Sequence, residues 1–110
     1  MIEALWGIEF VSNRTDGGYG VLVLETERVL GGDSSFVFVG NYEVSNGVIR
    51  AKAKCTNDRG TLESIFGNIK EFTVVLEGPV DEKEMVLNGY MEENPANKLA
   101  VKLTRRAELP

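Results

Sequence analysis

The chain contains no histidine and only one cysteine, so the residues that most often carry catalysis and metal binding are missing. Without histidine there is no ordinary general base to activate a serine or cysteine nucleophile. A single cysteine also excludes an intrachain disulfide and a paired-cysteine metal site. Cys55 lies within an alternating apolar and polar run, which favours a small core residue over a nucleophile. We therefore expect a protein that is not an enzyme and needs no metal or cofactor.

Basic residues and long apolar runs are also scarce. Twelve lysines and arginines stand against seventeen acidic residues, which gives a net charge of −5. This balance disfavours direct binding to nucleic acid, because a basic surface for phosphate groups is lacking, and it suits a basic protein partner better. No apolar stretch approaches the length of a membrane span, and the first residues do not resemble a signal peptide. We expect no membrane association and a cytoplasmic location.

Eight short stretches of the chain alternate apolar and polar residues at the period of a β-strand, with glycine or asparagine turns between many of them. They cover residues 4–11, 19–25, 28–30, 36–44, 49–55, 71–77, 85–91 and 98–105. Asn46-Gly47 is the strongest hairpin signal and predicts a type I′ turn. Successive hairpins in one domain of 110 residues predict an all-β fold, an eight-stranded antiparallel up-and-down barrel with one short helix.

One segment breaks the alternation. Between residues 57 and 68, Leu62, Ile65 and Phe66 fall at helical spacing. They predict one short helix between the fifth and sixth strands, packed over an open end of the barrel.

Glycines punctuate the chain in two ways. The run Gly31-Gly32-Asp33-Ser34-Ser35 is not followed by the lysine and helix of a phosphate loop, so we interpret it as a tight turn held by side-chain hydrogen bonds. Single glycines within strands mark places where a small barrel must bend. These are Gly7, Gly20, Gly40 and Gly89.

The inward faces of the strands supply the candidate interior. They are expected to carry Trp6, Ile8, Phe10, Phe38, Ala51, Ala53, Phe72, Leu87 and Val101. A barrel of eight strands either fills its interior with side chains or leaves room for one small ligand. The small residues Ala51 and Ala53 favour room for an apolar ligand, whereas the large aromatic residues favour a plain core. The sequence leaves both interpretations open.

Two acidic clusters fall in predicted loops or turns. Their members are Asp81, Glu82, Glu84, Glu92 and Glu93. Exposed carboxylates of this kind lack the desolvation that acid–base catalysis needs. They are typical of a solvated surface, and the functional alternative is a docking site for a basic protein partner.

Several strands carry apolar residues on both faces. If Phe36 and Phe38 point into the barrel, Val37 and Val39 must point outward, and Val75 does the same on the sixth strand. A chain in water usually covers such a patch with a partner. We therefore expect a homodimer that uses Val37, Val39 and Val75.

Three motifs carry a resemblance to a known family. They are Trp6–Asn13 (WGIEFVSN), Gly18–Val21 (GYGV), and Val29–Ser35 (VLGGDSS) followed by Gly40. In this order, over essentially the whole chain, they resemble the GrlR-like negative regulators of type III secretion.

The resemblance implies a lipocalin-like eight-stranded barrel, a dimer, and repression through binding of a transcriptional activator. In that family an acidic Glu-Asp-Glu-Asp loop is associated with repression. The corresponding turn here, Val44-Ser45-Asn46-Gly47, lacks that motif, so no residue of it is carried over. Two hypotheses follow, namely a regulator that binds a protein partner, such as a basic activator, and a carrier or sensor of a small apolar ligand.

Overall fold

A computed structural model describes residues 1–13, 18–57 and 70–110 of the chain. They form eight antiparallel strands in one closed barrel, in which successive strands pair and β8 returns to pair with β1. The strands are β1 Ala4–Ser12, β2 Gly18–Glu25, β3 Arg28–Gly32, β4 Phe36–Ser45, β5 Val48–Asn57, β6 Glu71–Pro79, β7 Glu84–Met91 and β8 Asn94–Glu108. The predicted all-β up-and-down barrel is confirmed. The predicted helix at Leu62, Ile65 and Phe66 lies outside the described residues.

The barrel has two distinct ends. The Phe10 end is the end of the barrel at which strands β1, β3, β5 and β7 finish. The Trp6 end is the opposite end, at which strands β2, β4, β6 and β8 finish. The turns Thr26–Glu27 and Asn46–Gly47 lie at the Trp6 end, whereas Glu92–Glu93 closes the β7–β8 hairpin at the Phe10 end.

Strand alternation separates a buried interior from an exposed outer wall. On β5, Ala53 and Cys55 are buried while Lys52 and Lys54 are exposed, as the sequence pattern predicts. The second strand, whose inward face the sequence left ambiguous, buries Leu22 and Leu24 and turns its valines outward. The inward side chains of all eight strands meet in a single hydrophobic core.

Strands β3 and β8 both extend beyond their predicted bounds. Gly31 and Gly32 are the last residues of β3, not part of the turn, and the turn itself is Asp33–Ser35. The Asp33 carboxylate accepts hydrogen bonds from the backbone N–H groups of Ser35 (2.9 Å) and Phe36 (2.8 Å), so the predicted side-chain bonding within this turn is present. Strand β8 is far longer than residues 98–105, because it pairs with both β7 and β1 and continues past an irregularity in each ladder.

Two hairpin turns have the backbone of a type I′ turn, with positive φ at both central residues. Asn46 (54°) and Gly47 (75°) confirm the predicted turn. Thr26 (47°) and Glu27 (64°) form a second type I′ turn, although neither residue is the glycine or asparagine that usually predicts one. There the Thr26 N–H donates to the Glu3 carboxylate at 2.7 Å, a tertiary contact that holds an otherwise unfavourable pair of residues.

Inward-facing glycines allow neighbouring strands to approach closely. A Cβ at Gly40 would overlap the backbone oxygen of Lys52, and a Cβ at Gly89 would overlap that of Val75. These two glycines therefore lie where neighbouring backbones come too close for a side chain, and the bends expected there stay a prediction. Gly7 differs, because the nearest atoms to its missing Cβ are the ends of the Arg106 and Tyr19 side chains, which lie over it on the outer wall.

This difference predicts unequal costs for two glycine-to-alanine substitutions. Gly40→Ala forces backbone apart and should lower the free energy of unfolding by about 3 kcal/mol. Gly7→Ala meets an Arg106 atom at 2.7 Å that can move aside, so it should cost well under 1 kcal/mol. Urea denaturation of both variants provides the measurement, and equal costs would contradict the close approach of β4 and β5.

Candidate functional site

A closed barrel offers three places for function: its interior, its ends and its outer wall. Within the described residues every strand pairs with a neighbour on both sides, so none is an edge strand along its whole length.

The predicted interior residues all face the core. Trp6, Ile8, Ala53, Phe72, Leu87 and Val101 are buried, and Phe10, Phe38 and Ala51 pack against them with partial exposure. Phe10 and Phe38 meet edge to face with ring centroids 6.3 Å apart, although β1 and β4 lie three strands apart around the ring. Side chains from well-separated strands therefore meet across the interior at this level, and the two rings fill the space there.

Trp6 also fastens the first residues of the chain across the Trp6 end. Its indole N–H donates to the Ile2 carbonyl at 2.9 Å, and the Arg105 guanidinium lies 5.8 Å from its ring centroid. Arg105 in turn donates to the backbone carbonyls of Met1 (2.7 Å) and Glu82 (3.2 Å). Trp6 is fully buried, so this network is structural and does not present a binding surface.

Cys55 is the only nucleophile that the sequence singled out. Burial, with smaller contributions from the charges of Asp33 and Glu93, raises the pKa of its thiol to about 12. The thiol is therefore neutral at physiological pH, which fits the predicted core role.

The carboxylates of the first acidic cluster, at the Trp6 end, already have local partners. The Asp81 carboxylate accepts the backbone N–H groups of Lys83 (2.8 Å) and Glu84 (3.1 Å), and these hydrogen bonds lower the pKa of Asp81. Glu82 pairs with the Met1 amino group at 2.8 Å, and Glu84 lies 3.5 Å from the Lys102 ammonium. Asp81 shapes the β6–β7 connection, whereas Glu82 and Glu84 form exposed ion pairs of small energetic value.

The second acidic cluster, at the Phe10 end, closes the β7–β8 hairpin against β6. Glu92 pairs with Lys52 at 2.7 Å, and its backbone N–H donates to the Thr73 carbonyl. The Glu93 carboxylate accepts the Thr73 N–H with both oxygens, at 2.9 and 3.1 Å. Partial burial, the largest single influence, raises the pKa of Glu93, but the hydrogen bonds from Thr73 and the charge of Lys52 outweigh it and lower the pKa below its usual 4.5.

The two clusters do not form one surface. Asp81 and Glu82 precede β7, and Glu92 and Glu93 follow it, so the length of β7 separates them by about 26 Å.

The three outward valines do not share one face either. Val37 and Val39 lie beside Gly32 and Leu30 of β3, and this strip continues to Val21 and Val23 on β2. We call this strip, Val21, Val23, Leu30, Val37 and Val39, the β2–β4 apolar face. Val75 lies beyond β5, opposite Lys52 on one side and Tyr90 on the other. The lysines of β5 therefore separate Val75 from Val37 and Val39, because alternation predicts which side of the sheet a residue is on but not its position around a closed wall.

The wall between these valines is charged and internally paired. Arg50 pairs with Glu77, and Lys54 lies 3.2 Å from Glu71, so cross-strand ion pairs join β5 to β6. This sector is a typical solvated surface.

A groove crosses the wall on the side away from the charged sector. Its floor is the β1–β8 seam at the paired residues Phe10 and Val101, and its volume is about 510 Å³. The surrounding residues are Glu9, Val11, Gly18, Tyr19, Val86, Ala100 and Lys102. We call it the seam groove. Sequence reasoning missed it, since its residues come from four strands and each looks like an ordinary outward position.

Within the described residues, no group of three histidine, cysteine, aspartate or glutamate side chains is placed to hold a metal ion. In the same part of the chain, no helix has the length and apolar character to cross a membrane. The sequence matches no protein-family model and no curated protein.

The Thr73–Glu93 contact predicts a pH-dependent contribution to stability. Glu93→Gln removes the charge that strengthens this hydrogen bond and should cost about 1 kcal/mol at pH 7, a small value because water screens an exposed carboxylate. The pKa of Glu93 is lowered by folding, so this contribution is present above pH 4.5 and is lost as the pH falls through the lower folded value.

Urea denaturation at pH 7 and at pH 3 measures the difference. Glu92→Gln, which affects only an exposed ion pair, is the matched control and should change stability little at either pH. A Glu93→Gln cost that persists unchanged at pH 3 would show that the charge is not involved.

Proposed function

We propose that this protein is a non-catalytic regulator that captures a basic protein, most simply a DNA-binding transcriptional activator, on the outer surface of its barrel. The observation that carries the proposal is the apolar outer wall. Val11, Tyr19 and Val86, around the seam groove, are each more than 40% exposed while the interior holds a packed aromatic core. Contiguous exposed apolar area of this kind marks an interaction surface.

Charge supports a basic partner. The net charge of −5 and the carboxylates at both ends of the barrel attract a cationic protein from a distance and raise its association rate. The resemblance to GrlR-like negative regulators supports the same role, with an activator of type III secretion genes as the partner and the cytoplasm as the location. The missing acidic motif at Val44–Gly47 leaves a different surface of the barrel to make the contact.

A carrier of a small apolar ligand is the alternative. It would use the interior, where Phe10 and Phe38 meet across the barrel and Trp6 is fully buried. A ligand there must displace packed aromatic side chains, which supports function through the outer wall instead.

We also propose that the protein forms a homodimer through the β2–β4 apolar face. This face joins Val37 and Val39, from the original expectation, to Leu30, Val21 and Val23. A twofold interface places the same patch of both copies together, and burying a strip of valine and leucine against itself leaves no charge unpaired.

Capture of the activator is the first test. The test partner is a basic DNA-binding transcriptional regulator, and capture is measured as loss of its DNA binding and as a Kd by calorimetry. Glu82→Lys and Glu92→Lys reverse one charge at each end without removing a backbone hydrogen bond of the carboxylate. Reversal at the end that faces the partner should weaken binding about five-fold in low salt and less in high salt.

The interior variant Phe38→Leu is the control, and it should leave capture intact. No capture by the wild-type protein overturns the proposal. The carrier becomes the leading function if Phe38→Leu abolishes capture in a folded protein while both charge reversals leave it unchanged.

The dimer is tested by Val39→Glu, which places a carboxylate in the centre of the β2–β4 apolar face. Dimer dissociation should become at least ten-fold easier, because an unpaired charge would be buried at the interface. Val75→Glu makes the same change on the charged side of the wall and should have no effect. Light scattering at micromolar concentration gives the oligomeric state, and a wild-type monomer would refute the dimer.

A further inference from the structure

We infer that Asn46 is a site of covalent modification, at which the Gly47 backbone nitrogen attacks the asparagine side chain and water converts the residue to aspartate or isoaspartate. The site is the type I′ turn between β4 and β5, at the Trp6 end of the barrel. This inference concerns the chemistry of the chain itself and does not depend on the proposed function.

The reaction needs no enzyme, metal or oxidant. Hydroxide takes the proton of the Gly47 nitrogen, and this nitrogen forms a bond to the side-chain carbonyl carbon of Asn46. The side-chain nitrogen leaves and takes a proton from water, which releases ammonia and restores the hydroxide. Water then opens the five-membered imide at one of its two C–N bonds. Opening at the side-chain carbonyl gives aspartate, and opening at the main-chain carbonyl gives isoaspartate, in which the chain runs through the former side chain.

Two asparagine–glycine pairs occur in the chain, Asn46–Gly47 and Asn88–Gly89. Glycine after asparagine favours the attack, because glycine has no side chain to obstruct the approach of its nitrogen. The sequence alone therefore assigns the same reactivity to both pairs. The structure separates them, and the second pair serves as an internal control for the first.

The first pair lies at an exposed and open hairpin tip. Both residues are exposed, and apart from its chain neighbours no atom lies within 4 Å of the position that a Cβ of Gly47 would occupy. In the described part of the chain, one hydrogen bond ties this tip to the rest of the barrel, from the Val80 N–H to the Gly47 carbonyl at 2.9 Å. Such tips open locally at little cost, so Asn46 can rotate until its side-chain carbon faces the Gly47 nitrogen.

The second pair lies inside a strand that has neighbours on both sides. Gly89 is paired with Leu76 of β6 and with Leu99 of β8, and a Cβ at Gly89 would overlap the Val75 carbonyl oxygen. Ring closure there would require two ladders to break and closely packed backbones to separate. Asn88 is also exposed, so access of water does not distinguish the two pairs, and backbone freedom does.

The two products change the turn differently. Aspartate keeps the backbone and adds one negative charge to a chain whose net charge is already −5. Isoaspartate also inserts an extra main-chain carbon into a two-residue turn that sets the pairing of Ser45 with Val48 and holds Val80. Because loop length fixes the register of a hairpin, the isoaspartate form should be less stable than the aspartate form.

Peptide mapping by mass spectrometry measures the reaction in the folded, full-length protein at pH 8.5. Trypsin places the two pairs on separate peptides, residues 29–50 and 84–98. Asn46 should convert at least ten-fold faster than Asn88, and more slowly at pH 6, because the attacking nitrogen must lose its proton. In denaturing urea the ordered backbone is absent from both sites, so the two rates should agree within about two-fold.

Two variants isolate the reacting group and the added charge. Asn46→Gly keeps residues suited to a type I′ turn but removes the amide, so it should abolish modification of the turn and leave the rate at Asn88 unchanged. Asn46→Asp carries the charge without the extra carbon and should unfold at the wild-type urea concentration. The isoaspartate form, separated by chromatography and identified by enzymatic methylation of its free α-carboxylate, should unfold at a lower one.

The outcomes are distinct from those that test the proposed function, because none of its variants lies in this turn. Equal rates at Asn46 and Asn88 in the folded protein overturn the inference, as does an Asn46 that reacts only in urea. An isoaspartate form as stable as Asn46→Asp refutes the expected damage to the hairpin.

Discussion

Closure of the sheet is the constraint on which the rest of this molecule depends. Once β8 pairs with β1, every strand in the described part of the chain has a neighbour on each side, although β3 covers only part of β4 and the β6–β7 ladder joins only four residue pairs. The outer wall then consists largely of side chains, and the exposed apolar ones are the part of this surface that needs an explanation.

Around its circumference, the outer wall of the barrel is divided into a charged sector and apolar sectors. Cross-strand ion pairs such as Lys54–Glu71 neutralise one sector, whereas valines fill the β2–β4 apolar face and the seam groove on the far side. The two apolar sectors meet on β2, where Tyr19 borders the seam groove and Val21 belongs to the β2–β4 apolar face.

Sequence alternation predicted the fold because a half-buried strand leaves a period of two, and turn residues such as Asn46-Gly47 mark the hairpins. The alternation did not predict local structure that is determined by tertiary contacts. The Thr26–Glu27 turn depends on Glu3, and the extent of β8 depends on pairing with both neighbours. The candidate sites were harder still. Alternation gives inside or outside, but the separation of Val75 from Val39, and the seam groove itself, arise from the order of strands around the ring.

The seam between the first and last strands also sets how the chain must reach its native state. Ile8 pairs with Leu103, 95 positions along the chain, whereas the seven other ladders join strands that follow one another. Local hairpins can form early, but closing the seam requires a long loop and is expected to be the slow step. Until this seam closes, β1 and β8 have unpaired edges and apolar side chains that the closed barrel covers. A newly made chain is therefore most prone to aggregate during this interval.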